Sequence, residues 1–94
     1  MEVIHGRRWC EGVEVAGDLV VARDGELVAP AIDVSGDLIV RGVVLGGSGR
    51  VDRLVLARGC VWSGDCTART IVIDAGAEIR SGRLEVVDVE LVRR

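Results

Sequence analysis

VEVAGDLVVA, at residues 13–22, returns as IDVSGDLIVR at residues 32–41, an offset of 19 residues. LVLARG, at 54–59, returns as IVIDAG at 71–76, an offset of 17. Each copy alternates apolar with other residues for a few positions and then stops at a glycine or a charge. Alternation with a period of two sends one side chain to each face of an extended strand. The runs are too short, and too often broken by glycine, for helices. Internal repetition at a fixed period near 17–18 residues predicts stacked turns of chain, with equivalent residues one above the other at about 4.8 Å.

Working outward from these repeats, three apolar series run through the chain. Val21, Val40, Leu56 and Ile73 step by 19, 16 and 17 residues. Val15, Val34, Val51 and Ala68 step by 19, 17 and 17. Val44, Val61 and Ile79 step by 17 and 18. The expected fold is all-β, a parallel β-helix of about four to five rungs of roughly 17–18 residues. An antiparallel sandwich predicts more frequent Asp-Gly or Asn-Gly turns than the single one at Asp24-Gly25. A hexapeptide solenoid is met by Ile32, Leu38 and Val44 but broken at Arg50. Residues 1–12 lack the alternation and read as an N-terminal arm or cap; residues 13–94 read as the β-helix domain.

Composition agrees with a narrow interior. Of 94 residues 49% are hydrophobic, yet Trp9 and Trp62 are the only aromatics. The rest of the apolar set is mostly Val, Leu, Ile and Ala, whose branched members suit a pleated surface. Thirteen glycines and one proline, Pro30, imply many tight corners. Every one of the 12 basic side chains is arginine, interspersed with 15 acids for a net charge of −3. There is no basic stripe, so nucleic acid is not an expected partner. Cys10, Cys60 and Cys66 are an odd number without a secretory signal, which predicts reduced thiols and a cytoplasmic location. No apolar run reaches the ~18 residues that span a bilayer.

Few residues point to chemistry. His5 is the only histidine, so a Ser-His-Asp relay or a three-histidine zinc site is not expected. Cys60 and Cys66 are spaced too widely for an ordinary zinc pair; Cys66 falls at an inward position and Cys60 at an exposed corner. Gly46-Gly47-Ser48-Gly49 lacks the lysine and following helix of a phosphate loop. Asp52 comes one position late for a calcium-binding nonapeptide repeat, so the stretch reads as a corner between rungs. The Gly-Asp pairs at 17–18, 36–37 and 64–65 are read as corners whose carboxylates bond nearby backbone N–H groups, not as glycosidase acids. No catalytic residue, metal or cofactor is assigned, and the chain is not expected to be an enzyme.

What remains are surfaces. The first and last rungs of a solenoid present unpaired edges, which proteins either cap or use for assembly. Ile4, Trp9, Val13 and Val15 at one end, and Val89, Leu91 and Val92 at the other, are the expected self-association or capping edges. Ile4 and Trp9 are expected to cover the first rung. Val3, Ile4, Arg7, Arg8 and Trp9 offer only a weak anchor for an anionic membrane surface, so membrane association through residues 1–12 is a secondary expectation. Trp62, beside Val61 of the third series, is expected to face outward and to contact a partner protein.

The stretch VSGDLIVRGVV (34–44), with GDCTARTIVIDAGAEIRSGRLEV (64–86), resembles the bactofilin domain. Gly64, Asp65, Cys66, Ala68, Ile71, Ile73, Gly76, Ala77, Ile79 and Gly82 carry the likeness, which spans roughly residues 13–87. The resemblance implies a right-handed β-helix of triangular cross-section and a bacterial cytoskeletal scaffold. Such a scaffold self-associates through the ends of its helix, without nucleotide, and positions partner proteins. This chain departs from the family in having fewer rungs and no Phe at a polymerising end. The alternative expectation is a monomeric or dimeric solenoid that binds protein without polymerising.

Overall fold

The computed structural model describes residues 1–86 and 91–93. Among them the chain forms eight strands: β1 (Glu2–Trp9), β2 (Gly12–Val15), β3 (Leu19–Val40), β4 (Val43–Leu56), β5 (Val61–Ile73), β6 (Glu78–Ser81), β7 (Leu84–Val86) and β8 (Leu91–Arg93). Every pairing between them is parallel. The result is a β-solenoid of about five turns at about 17 residues per turn. Strands as long as β3 occur because the extended chain bends around glycine-bearing corners without losing its pairing. β1 and β2 both lie against β3, so one turn of chain is stacked on the next.

Three faces follow. The first holds 2–4, 19–21, 38–40, 54–56, 71–73 and 91–93. At the two ends of this face of β3, the Arg41 N–H donates to Val21 O at 2.9 Å and the Gly36 N–H to Gly17 O at 2.9 Å, which brackets 38–40 against 19–21. The second holds 6–9, 25–28, 43–46, 61–63 and 78–81; the third holds 12–15, 31–34, 48–51, 65–68 and 84–86.

Two of the three apolar series stand as read. Val40 pairs with Leu56 and Leu56 with Ile73, while Val15, Val34, Val51 and Ala68 form an unbroken column that ends at Val86. The third is corrected by one residue. Val44 pairs with Trp62, and Trp62 with Ile79, so Val61 lies outside the inward column and Trp62 within it. The corner after Leu56 is longer than the corner after Val40, and the register recovers at a shift between Leu45 and Ser48. Gly46-Gly47-Ser48-Gly49 is thus the corner between the second and third faces, as expected.

The interior is a thin stack of Leu, Ile, Val and Ala with two cysteines and Trp62, and no polar or charged side chain is buried among the described residues. Glycine is required where neighbouring turns touch at a corner. At Gly82, whose φ is +104°, a Cβ would meet Gly64 O, and at Gly64, φ +135°, it would meet Gly46 O at 2.6 Å. Gly46, Gly64 and Gly82 stack in one column, and at Gly64 and Gly82 only a residue without a side chain fits.

Residues 1–12 are part of this stack. β1 runs in register against β3 from Glu2↔Leu19 to Trp9↔Val28, with one shift between Ile4 and Gly6. Outward pairs tie it down: Arg7 Nε sits 2.8 Å from Glu26, and His5 Nδ1 sits 2.9 Å from Asp24. The bond with His5 holds the Asp24 carboxyl below its usual range.

Candidate functional site

At the end formed by β1, two charges stand over the interior column. Glu2 pairs with Leu19, and Arg8 with Leu27, both at fully inward positions. Their side chains meet, Arg8 Nη1 donating to Glu2 Oε1 at 2.8 Å. The two residues stand on different faces of the solenoid. Outward side chains on different faces diverge, so this contact forms only with both chains leaning across the open end. Charges at the rim are a means by which sheet proteins blunt edges that would otherwise recruit another chain.

The other expected residues of this end divide between core and surface. Ile4 is buried and belongs to the core, Val15 is buried at the foot of its column, and Val13 is half-buried against the core. Trp9 does not cover the rung. It pairs with Val28, an outward position, and is 75% exposed. Strand alternation thus separates Ile4 and Trp9, which the sequence reading placed together.

At the opposite end, Ile79 is 40% exposed and borders a cleft of about 360 Å³ with Ile73, Asp74, Ala75 and Ala77. Leu84 and Val86 are half-buried against the core. Leu91 pairs with Ile71 and Val92 with Val72, while the register sets Arg93 beside Ile73. Val89 lies outside the described residues.

Trp62 is a correction. It is 1% exposed, stacked between Val44 and Ile79, with its Nε1–H donated to Gly64 O at 2.9 Å. It cannot serve as an exposed partner contact, because its ring fills the interior and its polar atom is satisfied there. Cys60 is corrected with it: the thiol is buried rather than at an exposed corner, and burial pushes its pKa up. Cys66 is core as expected, its thiol pushed up to about 12 by burial. The signal for both corrections is in the sequence. Cys60, Trp62, Cys66 and Ala68 share one phase of alternation, and Val61, Ser63, Asp65 and Thr67 share the other, which is mostly polar.

The Gly-Asp corners do bond backbone, but across turns. Asp18 Oδ1 accepts from the Asp37 N–H at 2.8 Å, and Asp65 Oδ1 accepts from the Arg83 N–H at 2.7 Å. Each carboxylate clips its own turn to the next. Asp37, at the middle corner, faces Arg53 at 3.7 Å instead.

Sequence reasoning missed the outer surface of the first face. Between the inward residues of each turn stands one outward residue: Val3, Val20, Ile39, Val55 and Val72, with Val92 at the same register position. The column is β-branched and apolar throughout. Val3 is 40% exposed, Val20, Ile39 and Val55 are half-buried, and Val72 is buried. The corner beyond this face carries Arg23, Arg41 and Arg58, which border one cleft with Gly42 and Gly59. The signal was the central residue of each first-face triplet (EVI at 2–4, LVV at 19–21, LIV at 38–40, LVL at 54–56 and IVI at 71–73), which breaks the apolar–polar alternation expected of a solvated outer surface.

Comparison with protein-family models, with curated proteins and with solved structures returns no match.

Proposed function

We propose that this chain is a non-catalytic solenoid module that binds protein through a lateral face and does not polymerise end to end. The observation that carries the reading is the Glu2–Arg8 pair. Both residues hold register positions that elsewhere in the stack are apolar, and they meet at 2.8 Å over the end of the column. Stacking a second copy on that end would bury both charges away from water, which costs several kcal/mol per ion before any compensation. The carboxylates at Asp18 and Asp65 support a structural role, since each is spent on a backbone N–H of the adjoining turn.

A second reading, the bactofilin-like scaffold that assembles through its ends, draws support from the other end, where Ile79 is 40% exposed beside an open cleft. Contact at that end alone closes into a pair, because the β1 end offers no matching apolar surface. Sedimentation velocity and negative-stain imaging of the purified chain separate the readings. The lateral-module reading expects no particle longer than a pair. Replacing Glu2→Val and Arg8→Leu together should uncover the column and produce concentration-dependent growth. Filaments from the unaltered chain would overturn the proposal.

A further inference from the structure

The first face has the layout of a surface that matches itself. In the third turn the outward residues run Asp37, Ile39, Arg41, with inward Leu38 and Val40 between them. An acid stands at one edge, an aliphatic residue at the centre and a cation at the other edge. Asp18 and Val20 repeat the acid and the centre one turn above, with Arg23 at the corner; half-buried Val55 continues the centre one turn below, and Val72 beyond it is already buried. Among the described residues Arg41 has no acidic partner, whereas Arg53 already faces Asp37 at 3.7 Å.

We infer that this face docks a second copy of the same chain, about a two-fold axis parallel to the solenoid axis. Such an axis keeps each turn at its own level and exchanges the two edges. Ile39 then meets Ile39, and Asp37 of each copy meets Arg41 of the other. A two-fold axis laid along the strands and passing through this turn would set Asp37 against Asp37 and Arg41 against Arg41, which like charges oppose. The facing sheets stack at about 10 Å, the ordinary spacing of packed sheets. Four strands with exposed or half-buried central residues, about 4.8 Å apart and about five residues across at about 3.3 Å each, give a face of roughly 300 Å² per copy. A face of that size belongs to the small, weak class of interface, so the dimer is expected to dissociate at high micromolar concentration. The inference rests on the lateral-module reading and names its partner and its site.

Sedimentation equilibrium across a wide concentration range tests it, with circular dichroism to verify that each variant is folded. The unaltered chain should form a reversible dimer. Ile39→Asp, an outward substitution, should weaken it by about a hundredfold or more, because it sets two carboxylates face to face at the centre. Arg41→Glu should weaken it by about tenfold, and adding Asp37→Arg should restore it, because the edges are exchanged and matched again. A dimer that persists in Ile39→Asp, or a double variant no better than Arg41→Glu, would overturn the inference and leave the lateral-module reading standing. A chain that stays monomeric up to millimolar concentration would overturn it too, and would leave that reading with a different protein as partner. Growth beyond a pair that depends on Ile79, and not on Ile39, would instead remove the reading beneath it.

Discussion

Trp62 separates a column read by counting from the column that exists, and fluorescence can address it directly. The chain has two emitters, Trp62 at 1% exposure and Trp9 at 75%. In Trp9→Phe only Trp62 emits, and in Trp62→Phe only Trp9 does. The first should emit at shorter wavelength and resist acrylamide several-fold better than the second. Stability gives the magnitude. Truncating a buried Trp to Ala costs about 3–5 kcal/mol through lost burial and the cavity left behind. A domain of this size has roughly 5–15 kcal/mol in all. Trp62→Ala should therefore remove a large share of the chain's stability. Trp62→Phe keeps most of the apolar contact but loses the 2.9 Å bond to Gly64 O. It should cost about 1–3 kcal/mol in urea unfolding. Equal quenching of the two single-Trp variants, with Trp62→Ala as stable as the parent, would refute the inward assignment and the register of the whole second face.

Gly49→Ala should stabilise the chain by about 0.5–1 kcal/mol, since an added Cβ meets Asp65 O and Cys66 Sγ at an ordinary 3.5 Å; Gly82→Ala should do the reverse by more, and a thermal melt of each decides it. Asp18→Ala and Asp65→Ala each remove a carboxylate that binds the next turn's N–H, and should each cost about 0.5–2 kcal/mol by urea titration. Burial of Cys66 raises its thiol to about 12, well above the ordinary value near 8.5 that it has when unfolded. The protonated thiol therefore favours the folded state fully below about pH 8.5, and stability should fall by up to about 1.4 kcal/mol per unit as pH climbs from there toward 12, a slope that Cys66→Ala should flatten. With a thiol reagent at pH 8, half-exposed Cys10 should react in the folded chain while Cys60 and Cys66 wait for denaturant.

The parts of the fold that were legible are those where alternation and period agree. Val40, Leu56 and Ile73 sit in uninterrupted triplets of one face, so counting from turn to turn finds the right residue even with steps of 16 and 17. At the second face the two signals conflict. The corner from Ala57 to Cys60 adds residues that the corner at Arg41 and Gly42 lacks, and the Gly46-Gly47 irregularity returns the register further on. A fixed period lands on Val61, whereas the phase of alternation from Ala68 back to Cys60 lands on Trp62. Phase is the stronger constraint, because a one-residue slip would reverse every side chain of the strand. The same preference for counting left residues 1–12 outside the solenoid, since Arg7 and Arg8 looked unlike a rung. Arg7 is in fact an outward residue paired with Glu26, and Arg8 holds an inward register position in the first described turn.

That last position is the physical crux of the molecule. In the interior turns an inward side chain packs against the apolar core, and a charge there would be stranded. In the first turn it has neighbours on one side and water on the other. Glu2 and Arg8 use that difference: each stem lies toward the column, and each head keeps solvent as well as its partner, with 46% of both side chains exposed. The pair is weak as a source of stability, being a half-exposed bridge worth at most about 1 kcal/mol. Its effect falls on what the end can accept. A neighbour chain would have to strip water from both heads at once. On the proposed reading the pair therefore works against end-to-end stacking at the β1 end. The proposed lateral contact then falls to the first face, whose aliphatic column is bordered by Asp37 and Arg41.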